Sequence, residues 1–183
     1  MGWDRLDDPS GDGPVAFEAL ELFFRAWRLE DTEVMVTLFD TDQMNRWTPL
    51  ASPFTHEAAL AYVGAAHDAR AAGTTQLAIT LTRDGPPVGE VIVFPAVEPD
   101  EVELAYAVGA QHQGMGVGRR AVLAALEFAQ SRGAQRAVLM IADGNGASAA
   151  VARAAGFTKS ATPLLERQRK GFVLHLKTWT RDL

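Results

Sequence analysis

The sequence contains no cysteine in 183 residues. Thiol nucleophiles, disulfides and thiolate metal sites are therefore excluded, and the composition suits a reducing interior. Long apolar runs are missing too: none approaches the roughly 18 residues that a bilayer span needs. The first fifteen residues, MGWDRLDDPSGDGPV, are acidic and rich in Gly and Pro, the reverse of a secretory signal. They read as a flexible tail ahead of one domain over residues 16–183, and a cytoplasmic setting without a membrane partner is expected. A basic excess is likewise absent. The 17 Lys and Arg residues stand against 23 Asp and Glu, a formal charge of -6, so a nucleic-acid partner is not expected. A cationic or amine partner is compatible with that balance. His56, His67, His112 and His175 have no metal-ligand spacing, and no metal is expected.

What is present is a globular composition, 48% hydrophobic, long enough to bury a core. Phe17 to Leu29 is mostly apolar and predicts a first strand, followed by a helix opening at Glu30-Asp31-Thr32-Glu33, where acids favour the positive end of the helix dipole. Thr41 to Phe54, with Asn45, Pro49 and Pro53, reads as a loop. Thr55 caps a second helix that runs to Ala72 and stops at Gly73. Thr74 to Thr82 and Val88 to Phe94 are β-branched runs around Arg83-Asp84-Gly85-Pro86-Pro87, and predict an antiparallel hairpin. Glu101 to Gly109 alternates, with Val102, Leu104, Tyr106 and Val108 on one face and Glu101, Glu103, Ala105 and Ala107 on the other. By that alternation Tyr106 is a core residue. Met115 to Ser131 is a helix with Val117, Ala121, Ala124, Ala125 and Phe128 on one face. A strand over Arg136 to Ala142, a helix over Asn145 to Ala155, and strands over Phe157 to Ala161 and Gly171 to Thr178 complete the order β-α-α-β-β-β-α-β-α-β-β, an α/β (α+β) chain.

The stretch that carries chemistry joins the Tyr106 strand to the following helix through Gln111-His112-Gln113-Gly114-Met115-Gly116-Val117-Gly118. A helix N-terminus leaves backbone N–H groups unpaired at the positive end of its dipole. Glycines let a phosphate approach those donors. A tight connection would use the same glycines without any ligand. A Walker turn requires Lys and then Ser or Thr after its last glycine, and here Arg119-Arg120 follow. A Rossmann turn would open the first βαβ unit and place an acid some 20 residues on, and Gln130 to Arg136 offers none.

At these residues the sequence resembles the GNAT acetyltransferases. Gln111-x-x-Gly114-x-Gly116 is similar to that family's acyl-CoA pyrophosphate motif, and Asn145-x-x-Ser148-x-x-Val151 ending in Ala155-Gly156-Phe157 is similar to its N-x-x-S/A helix closing in G-F. Glu103-Leu104-Ala105-Tyr106-Ala107-Val108 resembles the E-x-G-Y-x-V strand of the RimJ/RimL-like branch, and Arg46-Trp47-Thr48-Pro49 suits it too. Ala105 departs from the usual Gly and His112 from a frequent Gly, but the phosphate donors are backbone groups. The resemblance implies a GNAT-like mixed, mostly antiparallel central sheet of about seven strands flanked by four helices. It also implies acetyl-CoA as co-substrate, with no metal and a primary amine as acceptor.

It further implies site residues. Val108, Gln111 to Gly118 (His112, Gln113, Gly114, Met115, Gly116 and Val117 among them) and Arg119 would hold the cofactor, with Asn145 on its pantetheine arm. One of Arg119 and Arg120 would meet a CoA phosphate. Ser148 would protonate the departing thiolate, although an early-helix serine also satisfies backbone donors. Glu103 is the first candidate for the general base, with Glu90 second; a solvated or ion-paired strand glutamate fits the same pattern. Glu103 and Trp47 would border the acceptor, against a Trp47 that only plugs the core. The acceptor is either a peptide or protein N-terminus or a small amine, and the assembly a monomer or homodimer. The alternative is a non-catalytic acyl-CoA-binding or sensing module, which keeps the cradle and leaves the base unused.

Overall fold

The computed structural model describes residues 16–183 except Val97 and Lys170. The N-terminal tail expected over residues 1–15 lies outside them. Among the described residues are nine strands and five α-helices. The first expected strand is two: β1 (Phe17–Ala19) and β2 (Leu22–Arg25) form an antiparallel hairpin in which Ala19 pairs with Leu22. Leu20 (φ 52°) and Glu21 (φ 59°) are both left-handed, as a two-residue hairpin turn of this kind demands. Neither is the Gly or Asn that would have marked the turn in the sequence. Arg120 compensates by donating to the Leu20 and Glu21 carbonyls.

Helix α1 (Thr32–Phe39) follows a 3-10 turn, and α2 (Asp42–Trp47) then occupies part of the expected loop. Thr41 caps α2 by accepting from the Met44 N–H, and Met44 is buried. A helix of six residues, followed by Pro49, is too short to show a helical period in the sequence. Helix α3 (His56–Ala71) starts at the expected cap, Thr55 accepting from the Ala58 N–H. Strands β3 (Thr75–Thr80), β4 (Pro87–Pro95) and β5 (Glu101–Val108) form an antiparallel meander. Helix α4 (Val117–Ser131) buries all five residues of the predicted face, and leads to β6 (Arg136–Ala142), parallel to β5. Helix α5 (Gly146–Ala154), β7 (Thr158–Lys159), β8 (Leu165–Arg169) and β9 (Phe172–Asp182) close the chain. Strand β8 was not expected: LERQR has no apolar alternation and owes its extended form to pairing with β9.

The sheet order is β1-β2-β3-β4-β5-β6-β9-β7, with β8 paired to β9 alone. Only β5 and β6 are parallel. One face is covered by α4 and α5, whose Val117, Ala121, Ala125 and Ala152 pack on Leu104, Val108, Leu139 and Ile141. The other is covered by α1 and α3, whose Met35, Leu38, Ala59 and Val63 pack with Ala78, Ala107 and Trp27.

A buried ion pair ties β2 to α1. The Arg25 guanidinium donates to both Asp31 carboxylate oxygens (2.7 and 2.8 Å), and Asp31 also accepts from the Arg28 N–H at 2.8 Å. Arg25 is only 8% exposed, so removal of its partner leaves a charge in the interior. Asp31→Ala should cost about 3–5 kcal/mol, read from urea unfolding. A loss below about 1 kcal/mol, the range of exposed pairs, would show that the pair does not hold β2 to α1.

Candidate active site

The site begins where the two parallel strands part. β5 and β6 pair from Glu101 with Arg136 to Leu104 with Leu139, and no further. Beyond that point β5 follows β4 to Val108 and β6 follows β9 to Ala142. Both antiparallel ladders are longer than the parallel one, and antiparallel pairing is the more stable per residue. The gap between Ala105–Val108 and Met140–Ala142 opens a cavity of about 960 Å³. Its β5 edge faces no strand, so backbone N–H and C=O groups there are free to meet the amides of an extended ligand.

At the open end lies the Gly-rich turn. Gly114 (φ 74°) and Gly116 (φ 75°) are left-handed, and a Cβ on either would meet nothing within 4 Å. Glycine is needed there for the backbone, and the space beside it is vacant for a ligand. Gly116 is the N-cap of α4 and brings no side-chain acceptor, so the first-turn N–H groups are uncapped at the positive end of the helix dipole. Gln113 pins the turn by donating to the Val108 carbonyl (3.1 Å) and to Gln43 of α2 (3.0 Å). Gly118 packs α4 close to the strand: a Cβ there would come within 3.2 Å of the Tyr106 ring. Of the expected cradle residues, Val108, His112, Gln113, Gly114, Gly116, Val117, Gly118 and Arg119 line the cavity; Gln111 and Met115 do not. The two arginines separate. Arg119 faces the cavity, its Nε donating to the Ala154 carbonyl, and Arg120 is turned to the β1–β2 hairpin.

Across the gap, Asn145 caps α5: its Oδ1 accepts from the Ser148 N–H at 3.1 Å, and both residues line the cavity. The Ser148 hydroxyl oxygen accepts from the Tyr106 hydroxyl at 3.1 Å. Tyr106 is therefore more than the core residue its alternation predicts. Its ring packs on the α4–α5 core while its oxygen stands at the cavity wall. Burial pushes the Tyr106 pKa up, against the bond to Ser148, so the phenol stays neutral and donates. Tyr106 occupies one of the two Ser148 lone pairs, and Ser148 keeps its own proton to offer to another group.

The acids lie on the opposite face of the sheet. Glu90 pairs with Ala107 and Glu103 with Phe94, four residues apart on β5 and so roughly 13 Å along the strand. Both line the cavity, but their surroundings differ. Glu103 is half-buried. Glu90 is 4% exposed and caged by three donors: the Tyr62 hydroxyl (2.9 Å to both oxygens), Gln76 Nε2 (3.2 Å) and Trp27 Nε1 (3.3 Å). Burial raises the Glu90 carboxyl, and the donors offset part of that rise. Tyr62 is raised far above its ordinary value by burial and by Glu90. Neither cage donor Trp27 nor Gln76 carries a sequence signal, since they meet Glu90 through the fold alone.

Helix α2 bridges the mouth of the gap. Gln43 holds the turn at one end; at the other, Trp47 packs with Ala142, Leu174 and Leu176 of β6 and β9 and carries the Arg46 guanidinium 4.5 Å above its ring. Trp47 lines the cavity beside Leu50, Phe54 and Tyr62, with Arg167 of β8 on the same wall. Among the described residues no three His, Asp or Glu side chains form a metal-binding group. No described helix is long and apolar enough to cross a membrane.

The GNAT acetyltransferase domain model matches residues 21–158. No curated protein matches the chain in sequence. Among solved structures, RimL, the ribosomal L7/L12 alpha-N-protein acetyltransferase, superposes with a TM-score of 0.79 at 18% identity over 100% of both chains. Mycobacterium smegmatis RimJ in complex with CoA-disulfide gives 0.77 at 16% identity, covering 94% of this chain and 88% of that one. A GNAT acetyltransferase from Bacillus anthracis gives 0.79 at 14%, covering 92% and 98%. At these identities the likeness is one of fold, including the mixed, mostly antiparallel sheet expected from the sequence; the sheet has nine strands rather than about seven. The family match spans most of the chain and contains the turn, both acids and Ser148: the protein belongs to the GNAT family, enzymes that transfer the acetyl group of acetyl-CoA to an amine.

Proposed function

We propose that the acceptor is the free α-amine of a peptide or protein, and that Glu103 and Ser148 serve the proton transfers. The observation that supports this reading is the division of the cavity by the sheet. The uncapped turn and Ser148 belong to the α4–α5 face, and Glu103 belongs to the α1–α3 face with Trp47. An amine entering from the Trp47 side meets a carboxylate on its way to a thioester bound from the other side. An α-amine has a reference pKa of about 7.7–8.0, against about 10.4 for a lysine-type amine, so a half-buried carboxylate acting through water suffices. The nitrogen attacks the thioester carbonyl and its proton passes to Glu103. The C–S bond breaks, and Ser148 supplies a proton to the sulfur. The parted edge of β5 offers the backbone groups that an acyl-CoA arm requires, and Asn145 lies beside it. RimL, by its name, is an alpha-N-protein acetyltransferase, in keeping with an α-amine acceptor. The caged Glu90 is assigned a positioning role: its bonds to Tyr62 and Trp27 fix the α3 wall of the acceptor side.

Two measurements test these assignments. Gly116→Glu forces a left-handed residue with a Cβ and a negative charge into the vacant side of the turn, and acetyl-CoA binding by calorimetry should weaken more than tenfold, about 1.4 kcal/mol. Unchanged affinity with a wild-type circular dichroism spectrum would remove the turn from the cofactor site. Glu103→Gln should lower kcat roughly 10²-fold with acetyl-CoA affinity unaltered. Should Glu90→Gln produce that pattern instead, the roles of the two acids are exchanged.

A further inference from the structure

Strands β8 and β9 extend past the end of β6. The last β6–β9 pair is Ala142 with Leu176, whereas β8 and β9 stay paired from Leu165 with Leu176 to Arg169 with Phe172. Cross-strand partners share a face. Leu165, Leu176, Arg167 and Leu174 therefore lie on one side of this ribbon, and Glu166, His175, Gln168 and Val173 on the other. The first side is the one toward the site: Leu174 and Leu176 are buried with Trp47 and Met140, and Arg167 lines the cavity. Glu166 and His175 pair with each other on the far side, 3.8 Å apart. Among the described residues no carboxylate lies within ion-pair distance of Arg167 or of Arg46, which rests on the Trp47 ring without itself lining the cavity. A protein with formal charge -6 thus presents Arg167 at this rim, and Arg46 on the Trp47 ring, with no acidic partner among the described residues.

These groups are on the wrong side for the acetyl-CoA phosphates. The phosphate turn opens α4, on the α4–α5 face; Arg167 is on the face of Glu103, Trp47 and Tyr62. The register gives its place relative to Glu103. Glu103 pairs with Val138 and Val138 with Thr180, and Leu174, the partner of Arg167, stands six residues earlier on β9. Six strand residues span roughly 20 Å and the three strand spacings from β5 to β8 roughly 14 Å, a separation of about 25 Å; an extended peptide of about six residues covers roughly 20 Å of it, and the Arg and carboxylate side chains bridge the rest.

We propose that Arg167 is a specificity-determining residue that reads a carboxylate side chain within about the third to sixth positions of an acceptor peptide whose terminal amine sits at Glu103. The inference rests on the peptide reading of the acceptor given above and narrows it to acidic N-terminal segments. A guanidinium suits this task because it binds a carboxylate through two parallel N–H groups in one plane and cannot lose its charge. Arg46, stacked on Trp47, adds a second positive charge beside the same path.

The test uses the full chain, saturated with CoA for binding and with acetyl-CoA for turnover, and three peptides with free N-termini, identical except for Glu, Gln or Lys at positions three to six. Binding is measured by calorimetry and acetylation by steady-state kinetics. The wild-type protein should bind the Glu peptide at least tenfold more tightly than the Gln peptide, with the same order in KM and little difference in kcat. The advantage should shrink as salt rises. Arg167→Gln should reduce the preference to about twofold or less, Arg167→Lys should retain part of it, and Arg167→Glu should favour the Lys peptide. Equal binding of the Glu and Gln peptides by the wild type would overturn the proposal, as would a full preference persisting in Arg167→Gln. The salt series in the wild type decides the matter even where a variant does not fold. If no peptide is acetylated while acetyl-CoA binds normally, the peptide acceptor itself is wrong; the binding order still reports on Arg167.

Discussion

Everything at the site follows from the failure of two parallel strands to stay together. β5 and β6 share four register pairs and then leave each other because each continues in a longer antiparallel ladder, β5 with β4 and β6 with β9. The paired end is held shut by the Asp100 carbonyl, which accepts from the N–H groups of both Gln135 and Arg136. The open end is held apart by the elements that cross it. Gly118 seats α4 against the Tyr106 ring, and α2 reaches from Gln43 at the turn to Trp47 over β6 and β9. A sheet that parts in its middle presents an unpaired edge without exposing it to another chain, which solves the usual hazard of free strand edges by enclosing it between helices.

The parting also makes the sheet a divider. Side chains alternate across β5, so one strand sends Tyr106 to Ser148 on the α4–α5 side and Glu103 to the α1–α3 side. A two-residue period thereby places a neutral hydroxyl pair and a carboxylate on opposite sides of one backbone. Tyr106 is buried and holds its proton, whereas the half-buried Glu103 retains solvent access on the cavity side.

Much of this was legible in the sequence wherever one element carries its own period. The faces of α4 and β5, the caps Thr55 and Asn145, and the Gly-rich turn all stand where the residues place them. What escaped depends on partners far along the chain. Leu20-Glu21 turn without a glycine because the hairpin and Arg120 hold them; β8 is a strand only through β9; α2 is too short to show a period. The parting itself leaves no trace, because Ala105–Val108 and Met140–Ala142 read as ordinary strand whether or not they pair. The Tyr106 ring packs on the core as its alternation predicts, but alternation is silent on the oxygen at its end, which meets Ser148.

The two acids show why sharing a sheet face does not make two residues equivalent. Glu90 and Glu103 both point to the α1–α3 side of the cavity, and composition alone offers no reason to prefer one. A general base must give up its bonds to accept a proton, and it must reach the amine through at most one water. Glu90 is committed to Tyr62, Gln76 and Trp27, which belong to α3, β3 and the β2–α1 connection. Its rotation would strip the buried Trp27 N–H and the half-buried Tyr62 and Gln76 donors of their partner, at roughly 1–3 kcal/mol for a buried donor. Those same bonds join three separate elements behind the acceptor wall, so their natural consequence is rigidity of that wall. Glu103, half-buried beside the point where β5 and β6 part, has no such commitments among the described hydrogen bonds and lies nearer the narrow end of the gap. The proposed division, with proton transfer at Glu103 and positioning by Glu90, rests on one difference, the number of donors each carboxylate must abandon.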